Sequence, residues 1–209
     1  SSGNAAFVGA QGVNLLIDAG LSGAVIESAL AGIGEGLRTV RAILVSHEHV
    51  DHIRGVGVLS RKYDIPVYAN LRTWEAMANK LGPIREKNIR VFEESDFYIG
   101  NVNIEAVQTP HDAAMPVAYR VSCGKRSVAV LTDLGHWTKK IVARLKNTDI
   151  VLLESNHDAA MLRASRYPQH LIARIAGQKG HLSNEDAGEA AAELVKNGVK
   201  GILLGHLSE

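Results

Sequence analysis

Hydrophobic and polar positions change period several times along the chain. Ala5 to Gly9 and Val13 to Asp18 are short strand-like runs separated by the turn-prone Ala10-Gln11-Gly12, which predicts an opening hairpin. Ser22 can cap a helix reaching about Ala31, and Gly32, Gly34 and Gly36 end it. That glycine triplet follows a helix rather than a strand, so it reads as a linker and not as a phosphate-binding loop. Val40 to Val45 is a run of β-branched and aliphatic residues, the mark of a strand buried on both faces. His52 to Tyr63 carries Ile53, Val56, Val58 and Leu59 at spacings that suit a helix. Ile65 to Ala69 reads as a strand, and Thr73 to Leu81 as a helix with Trp74 on its core face.

From Ile89 to Val130 the pattern shortens to β-type runs at Ile89 to Phe92, Asp96 to Ile99, Val102 to Thr109, Pro116 to Ser122 and Arg126 to Leu131. Turn residues between them predict an antiparallel meander. A helix follows from about Trp137 to Lys146, then a strand from Ile150 to Glu154. Helices fill 158 to 177 with a break near Pro168. Ser183 to Lys196 is strongly helical, with Ser183 and Asp186 as a capping-box variant, and Gly201 to Leu204 is a last strand. Strands interleaved with helices place the chain in the α/β (α+β) class.

At 209 residues the chain is expected to form a single domain over 1–209, large enough to bury a core without disulfides. Its 46% hydrophobic and 22% charged residues exclude disordered and fibrous classes. Lys+Arg 23 against Asp+Glu 22 leaves a net charge of +1, so any site for a polyanion must be local. The one cysteine, Cys123, excludes an internal disulfide, fits a reducing cytoplasm and is expected in the core. No apolar run reaches the roughly 18 residues that span a bilayer, and no charged-then-apolar leader is seen, so no membrane role is expected. The start at Ser1 and the stop three residues after His206 predict that both termini are trimmed.

The chemistry concentrates in Ser46-His47-Glu48-His49-Val50-Asp51-His52, where three histidines and an aspartate fall within six residues after an apolar strand. In an extended segment His47, His49 and Asp51 share one side, and His52 opens the next element. Imidazole nitrogens and a carboxylate on so short an arc form an open site for a divalent metal; the plain alternative is a polar turn of solvated histidines. Three later strand ends deliver His111, Asp133 and His206.

The HxHxDH motif, with His111, Asp133 and His206 in that order, resembles the metallo-β-lactamase superfamily along nearly the whole chain. That resemblance implies an αββα sandwich, two mixed sheets between helix layers. It also implies two divalent metal ions, Zn or Mn, one held by His47, His49 and His111 and the other by Asp51, His52 and His206. Asp133 and a hydroxide would bridge them. The lactamases proper often place a cysteine in the second metal site, and Cys123 matches no ligand, which argues against antibiotic hydrolysis.

Glu154 at a strand end, followed by Gly180-His181-Leu182-Ser183-Asn184 opening a helix, resembles the tRNA 3′-processing endonuclease branch, where such a Glu–His dyad protonates a leaving alkoxide. Ser1-Ser2-Gly3-Asn4, Leu16-Ile17-Asp18-Ala19-Gly20, Glu154-Ser155-Asn156-His157-Asp158 and the Gly180 segment together resemble the bacterial YycJ/WalJ branch. The resemblance departs at both ends, where that branch's first strand and C-terminal tail are missing. It implies a binuclear metal-dependent phosphodiesterase, a DNA exonuclease. The hydroxide would attack the phosphodiester, oriented by Asp51, and His181, steered by Glu154, would protonate the leaving oxygen.

The implied partner is nucleic acid, DNA rather than RNA. His157, in the Glu154 loop, either touches substrate or orients Glu154, or else makes a structural hydrogen bond; Arg163, Arg166, Arg174 and Lys179 form either a local phosphate-binding strip or a solvated helix face; Ser2 and Asn4 are further candidate contacts. His181 near a helix N-terminus is also where backbone N–H groups favour a phosphate. Asp18 reads as a turn residue without a metal role, and His136 and His170 as structural. Two other classes stand beside this reading. One is a small-molecule hydrolase on the same metals, a glyoxalase II-type thioesterase or a cyclic phosphodiesterase. The other is a non-catalytic binding protein, against which the full set of seven ligands argues.

Overall fold

The computed structural model describes residues 3–208. Its chain divides into two compact units, one made of the residues up to Glu105 together with Ala113–Met115, the other of Ala106–Asp112 and the chain from Pro116 on. Each has its own hydrophobic core. No helix among the described residues is long and apolar enough to cross a membrane.

In the first unit β1 (Ala6–Ala10) and β2 (Val13–Ile17) pair antiparallel, with Ala10 opposite Val13. The two linking residues, Gln11 and Gly12, have φ of 47° and 83°, as a tight hairpin turn requires. β3 (Val40–Leu44), β4 (Val67–Asn70) and β5 (Ile89–Phe92) then add in parallel, giving a five-stranded sheet in sequence order. α1 (Gly23–Gly32) starts where Ser22 Oγ accepts the Val25 N–H. Ile43, Leu44, Val45, Leu59 and Ile65 are nearly inaccessible in the core.

One helix expected over His52 to Tyr63 is two, α2 (Val50–Ile53) and α3 (Val56–Tyr63). The break falls at Gly55, whose N–H donates to Ala19 O at 2.7 Å and whose missing Cβ would stand 2.5 Å from Leu21 O. Only glycine allows that approach. α4 (Leu71–Leu81) begins at Asn70, whose Oδ1 accepts the Thr73 N–H, and buries Trp74, Met77 and Leu81 at spacings of three and four. Trp74 sits in the core as expected, its indole N–H donating to Arg90 O at 3.1 Å.

The predicted meander is corrected at its first strand: β5 pairs parallel with β4 across α4 and belongs to the first sheet. A short apolar run carries no record of its partner's direction; the preceding helical crossover sets it. The remaining runs are β6 (Asp96–Ile99), β7 (Val102–Gln108), β8 (Val117–Cys123) and β9 (Arg126–Leu131), with β6–β7 and β8–β9 antiparallel. β10 (Ile150–Glu154) and β11 (Gly201–Gly205) join parallel to β9, so the second sheet, ordered β11-β10-β9-β8-β7-β6, is mixed like the first.

Its helices are α5 (Lys139–Arg144), α6 (Ala159–Ala164), α7 (Gln169–Ile175) and α8 (Asn184–Lys196). α5 is shorter than the expected span because Thr138 Oγ1 accepts the Ile141 N–H and starts it late. Ser183 caps α8, accepting the Asp186 N–H and donating its hydroxyl to Asp186 Oδ2. Cys123 is buried, as expected.

Asp64 closes α3 at φ 58° and accepts from Arg85 at 3.1 Å, from Asn88 at 2.9 Å and from Lys87. The Lys87 ammonium, then the Asn88 amide, hold its carboxyl down to about 2. Because the folded value lies below the unfolded one, this contribution is present above about pH 4 and lost as pH falls toward 2. Asp64→Asn is therefore expected to lower the urea midpoint slightly at pH 7, by an amount that solvent screening at this exposed group keeps small, and to match the wild type near pH 2, so that its fall between pH 5 and pH 2 is shallower.

Candidate metal centre

β3 runs buried into the motif and stops at Leu44, so Ser46 and His47 enter the core while His49 and Asp51 stay partly exposed. His49 has extended backbone and caps α2, which carries Asp51 and His52. Asp51 thus projects from a helix rather than from the extended segment expected. His47 Nε2 and His49 Nδ1 lie 3.1 Å apart, a spacing that suits a shared proton or two donors of one cation.

Protons around His47 and His52 can be followed donor by donor. Asp18, at φ 59°, accepts the Ser46 backbone N–H (2.8 Å), the Ser46 hydroxyl (2.7 Å) and His52 Nδ1–H (2.8 Å). With its hydrogen spent on Asp18, Ser46 Oγ accepts from His47 Nδ1 at 2.9 Å. Both imidazoles therefore carry their proton on Nδ1 and present Nε2 as the donor atom, the tautomer a metal needs. Asn4 Nδ2 donates to His52 Nε2 at 2.9 Å and to Asp51 Oδ2 at 3.4 Å, which puts this expected substrate contact beside two candidate ligands. Gly20 makes the arrangement close, since a Cβ there would stand 1.6 Å from Asp51 O.

Asp18 is therefore more than a turn residue. An Asn in its place offers one acceptor oxygen where three donors converge, and its amide would face a second N–H or O–H. Asp18→Asn is expected to weaken divalent-metal affinity by about 10- to 100-fold with an unchanged fold, as measured by competition with a chelating dye.

In the second unit the candidate residues stand after strand C-termini: His111 beyond β7, Asp133 beyond β9, Glu154 closing β10 and His206 beyond β11. His111 Nδ1 donates to Gly180 O at 3.1 Å, so again Nε2 is the donor atom. Asp133 Oδ1 lies 3.8 Å from His111 Nε2 and 3.7 Å from His206 Nε2, too long for hydrogen bonds and suited to ligands of common cations. Ligand atoms of Asp133, Glu154, His181 and His206 all fall within 4.8 Å of one another. Asp133 and His206 hold φ of 57° and 56°, left-handed conformations that non-glycine residues keep only where surroundings impose them.

Glu154, wholly buried, organises this set. Its Oε1 accepts from His181 Nδ1 at 2.7 Å and His206 Nδ1 at 2.6 Å, and its Oε2 accepts the Leu134 and Leu182 N–H groups at 3.1 and 3.2 Å. Burial alone would raise its pKa, but the bonds from His181 and His206 outweigh that and lower it. Burial pulls the His181 imidazole down, yet the Glu154 bond and charge, with Asp133 and Asp112, raise it above the ordinary value. His111 goes the other way, its burial outweighing Asp133.

The Glu154–His181 pair stands as expected; Glu154's hold on His206 and Asp18's on His52 were not expected. A signal for both existed, each being an acid directly at the end of an apolar strand. The ring of His157 is largely buried and bonds Asn156 Oδ1 at 3.3 Å. Arg163, Arg166 and Lys179 are exposed, whereas Arg174 is engaged by Asp112 at 2.6 Å. His136 bonds Gln178 O at 3.0 Å. The start of α8 does not stand open to a phosphate: Ser183 caps it and Glu185 and Asp186 fill its first turn. Ser2 lies outside the described residues.

A family model described as the β-lactamase superfamily domain matches residues 13–206. The Bacillus anthracis protein named exodeoxyribonuclease YycJ is 41% identical over 209 residues, covering 100% of this chain and 79% of the relative. Exodeoxyribonuclease WalJ of Streptococcus pneumoniae is 42% identical over 212 residues with the same shares. Among solved structures the metallo-β-lactamase fold protein YhfI from Bacillus subtilis aligns with a TM-score of 0.73 at 20% identity, covering 100% of this chain and 79% of that one, a likeness of fold. Donor sets and superfamily together identify divalent metal as the cofactor. With its motifs carried on that fold and its whole length matched, the chain belongs to the YycJ/WalJ branch of the metallo-β-lactamase superfamily.

Proposed function

We propose that this protein is a binuclear metallo-hydrolase that degrades DNA from its ends in the cytoplasm, its two units working as one catalytic domain. The observation that carries the reading is the chain-long identity of 41–42% to two relatives named exodeoxyribonucleases. The buried Glu154–His181 pair next to the donor set agrees with it. His47, His49 and His111 would hold one ion, Asp51, His52 and His206 the other, and Asp133 would join them; zinc and manganese both suit these donors. Such ions supply Lewis acidity, lowering the pKa of water and offsetting charge that develops on phosphate oxygens.

The protein's own groups do the rest. Asp51, on the exposed side of its set, orients the attacking water. His181, cationic through its bond to Glu154, holds a second proton on Nε2 and passes it to the leaving oxygen. Asn4, His157, Arg163, Arg166, Lys179 and Ser2 are assigned to substrate contact.

The test is degradation of end-labelled DNA and RNA, single- and double-stranded, with Mn²⁺ or Zn²⁺, wild type beside His49→Ala. Metal-dependent shortening of DNA by the wild type alone is expected. Survival of every nucleic acid, with cleavage of a thioester or a cyclic phosphodiester, would give the site to the small-molecule alternative.

A further inference from the structure

The segment between Glu154 and His181 is a loop tied shut at the proton-donating pair. At its root His157 and Ser183 form a parallel bridge, Asn156 N–H donates to Leu182 O at 3.0 Å, and Asn184 N–H donates to His157 O at 2.8 Å. Beyond the root, α6 and α7 are anchored by Leu162 and Ile172, while Met161 and Tyr167 are 75% and 45% exposed. No Asp or Glu occurs from 159 through 184, a stretch that holds four of the chain's cations although the whole chain carries only +1. Arg174 is turned to Asp112; Arg163 and Arg166 both precede the exposed tyrosine, Arg166 directly. An exposed aromatic beside cations, on an arm whose one acid, Asp158, caps α6 and whose ends are pinned next to His181, has the parts of a site for unpaired nucleic acid: stacking takes the base, the guanidinium groups take the backbone.

We propose that this arm is a clamp for single-stranded DNA ends, in which Tyr167 stacks on an unpaired base while Arg163 and Arg166 hold its phosphates. The inference rests on the nuclease reading above. In a duplex only the two terminal pairs show an uncovered base face, whereas an unpaired strand offers base faces along its length, so the arm favours unpaired ends.

Fluorescence anisotropy with phosphorothioate oligonucleotides, which resist cleavage, measures this on the metal-loaded full chain. Tyr167→Ala should weaken single-strand binding by about 5- to 100-fold, Tyr167→Phe should retain it, and affinity for a blunt duplex should fall less. The Arg163→Gln/Arg166→Gln double variant should make the salt slope shallower by about 1 to 1.5, the share of two phosphate contacts. Unchanged single-strand affinity in Tyr167→Ala, or equal weakening on both substrates, overturns the clamp while wild-type degradation of DNA leaves the nuclease standing. A wild type that neither binds nor degrades DNA overturns both.

Discussion

His181→Ala is expected to keep its full metal content and to lose two to four powers of ten in turnover. Its imidazole differs in exposure from the two candidate ligand histidines of its unit: the side chain is 23% accessible, against 2% for His111 and 3% for His206. The enclosure of His111 and His206 suits ligands, whereas a proton donor must reach substrate. Its partner is a carboxylate rather than a backbone carbonyl, so the cation is favoured, and the raised pKa keeps the proton in place to higher pH than an ordinary histidine would. Wild-type turnover should therefore fall on the alkaline side as His181 loses its proton, and the variant's profile should lack that limb. Metal analysis beside turnover on end-labelled DNA from pH 6 to 9 checks it. Equal loss of metal and activity would sink the assignment and make His181 a ligand.

Glu154→Gln should do more damage, because four donors converge on this one buried carboxylate. A glutamine has one acceptor oxygen, and its NH2 would be turned toward groups that themselves donate. Leaving buried donors unmatched costs about 1–3 kcal/mol each, so a destabilisation of roughly 3–5 kcal/mol is expected. For a chain of this size that lowers the melting temperature by roughly 6–20 °C. Since His206 loses the bond that sets its tautomer, metal should be lost as well, and activity should fall at least as far as in His181→Ala. Combining the two should add little further, as expected of groups that act as one unit. Full metal occupancy in Glu154→Gln with a loss no larger than that of His181→Ala would show that Glu154 serves His181 alone.

Elements with strong periodic signals were legible in the sequence. β6 and β10 fall on their expected residues, and Ser22 and Ser183 cap the helices assigned to them. Long-range pairing was not legible. β5 could not be separated from the strands after it, because its partner lies across α4 and nothing in Ile89–Phe92 states a direction. The break at Gly55 was hidden likewise, since its cause is a carbonyl more than thirty residues earlier.

The sequence by itself determined the donor types and their order, the strand ends that carry them, and through these the superfamily and its branch. Such features are local: a histidine beside a strand end is visible wherever it is written. Only the tertiary structure decided which groups serve which. Asp18 reaches His52 across 34 positions, and Glu154 holds His181 across 27 and His206 across 52. A hydrogen bond depends on separation in space, and spacing along the chain does not encode it. Burial works the same way, since it is the packed core around Glu154 that converges four donors on one carboxylate and makes it the support of two histidines at once.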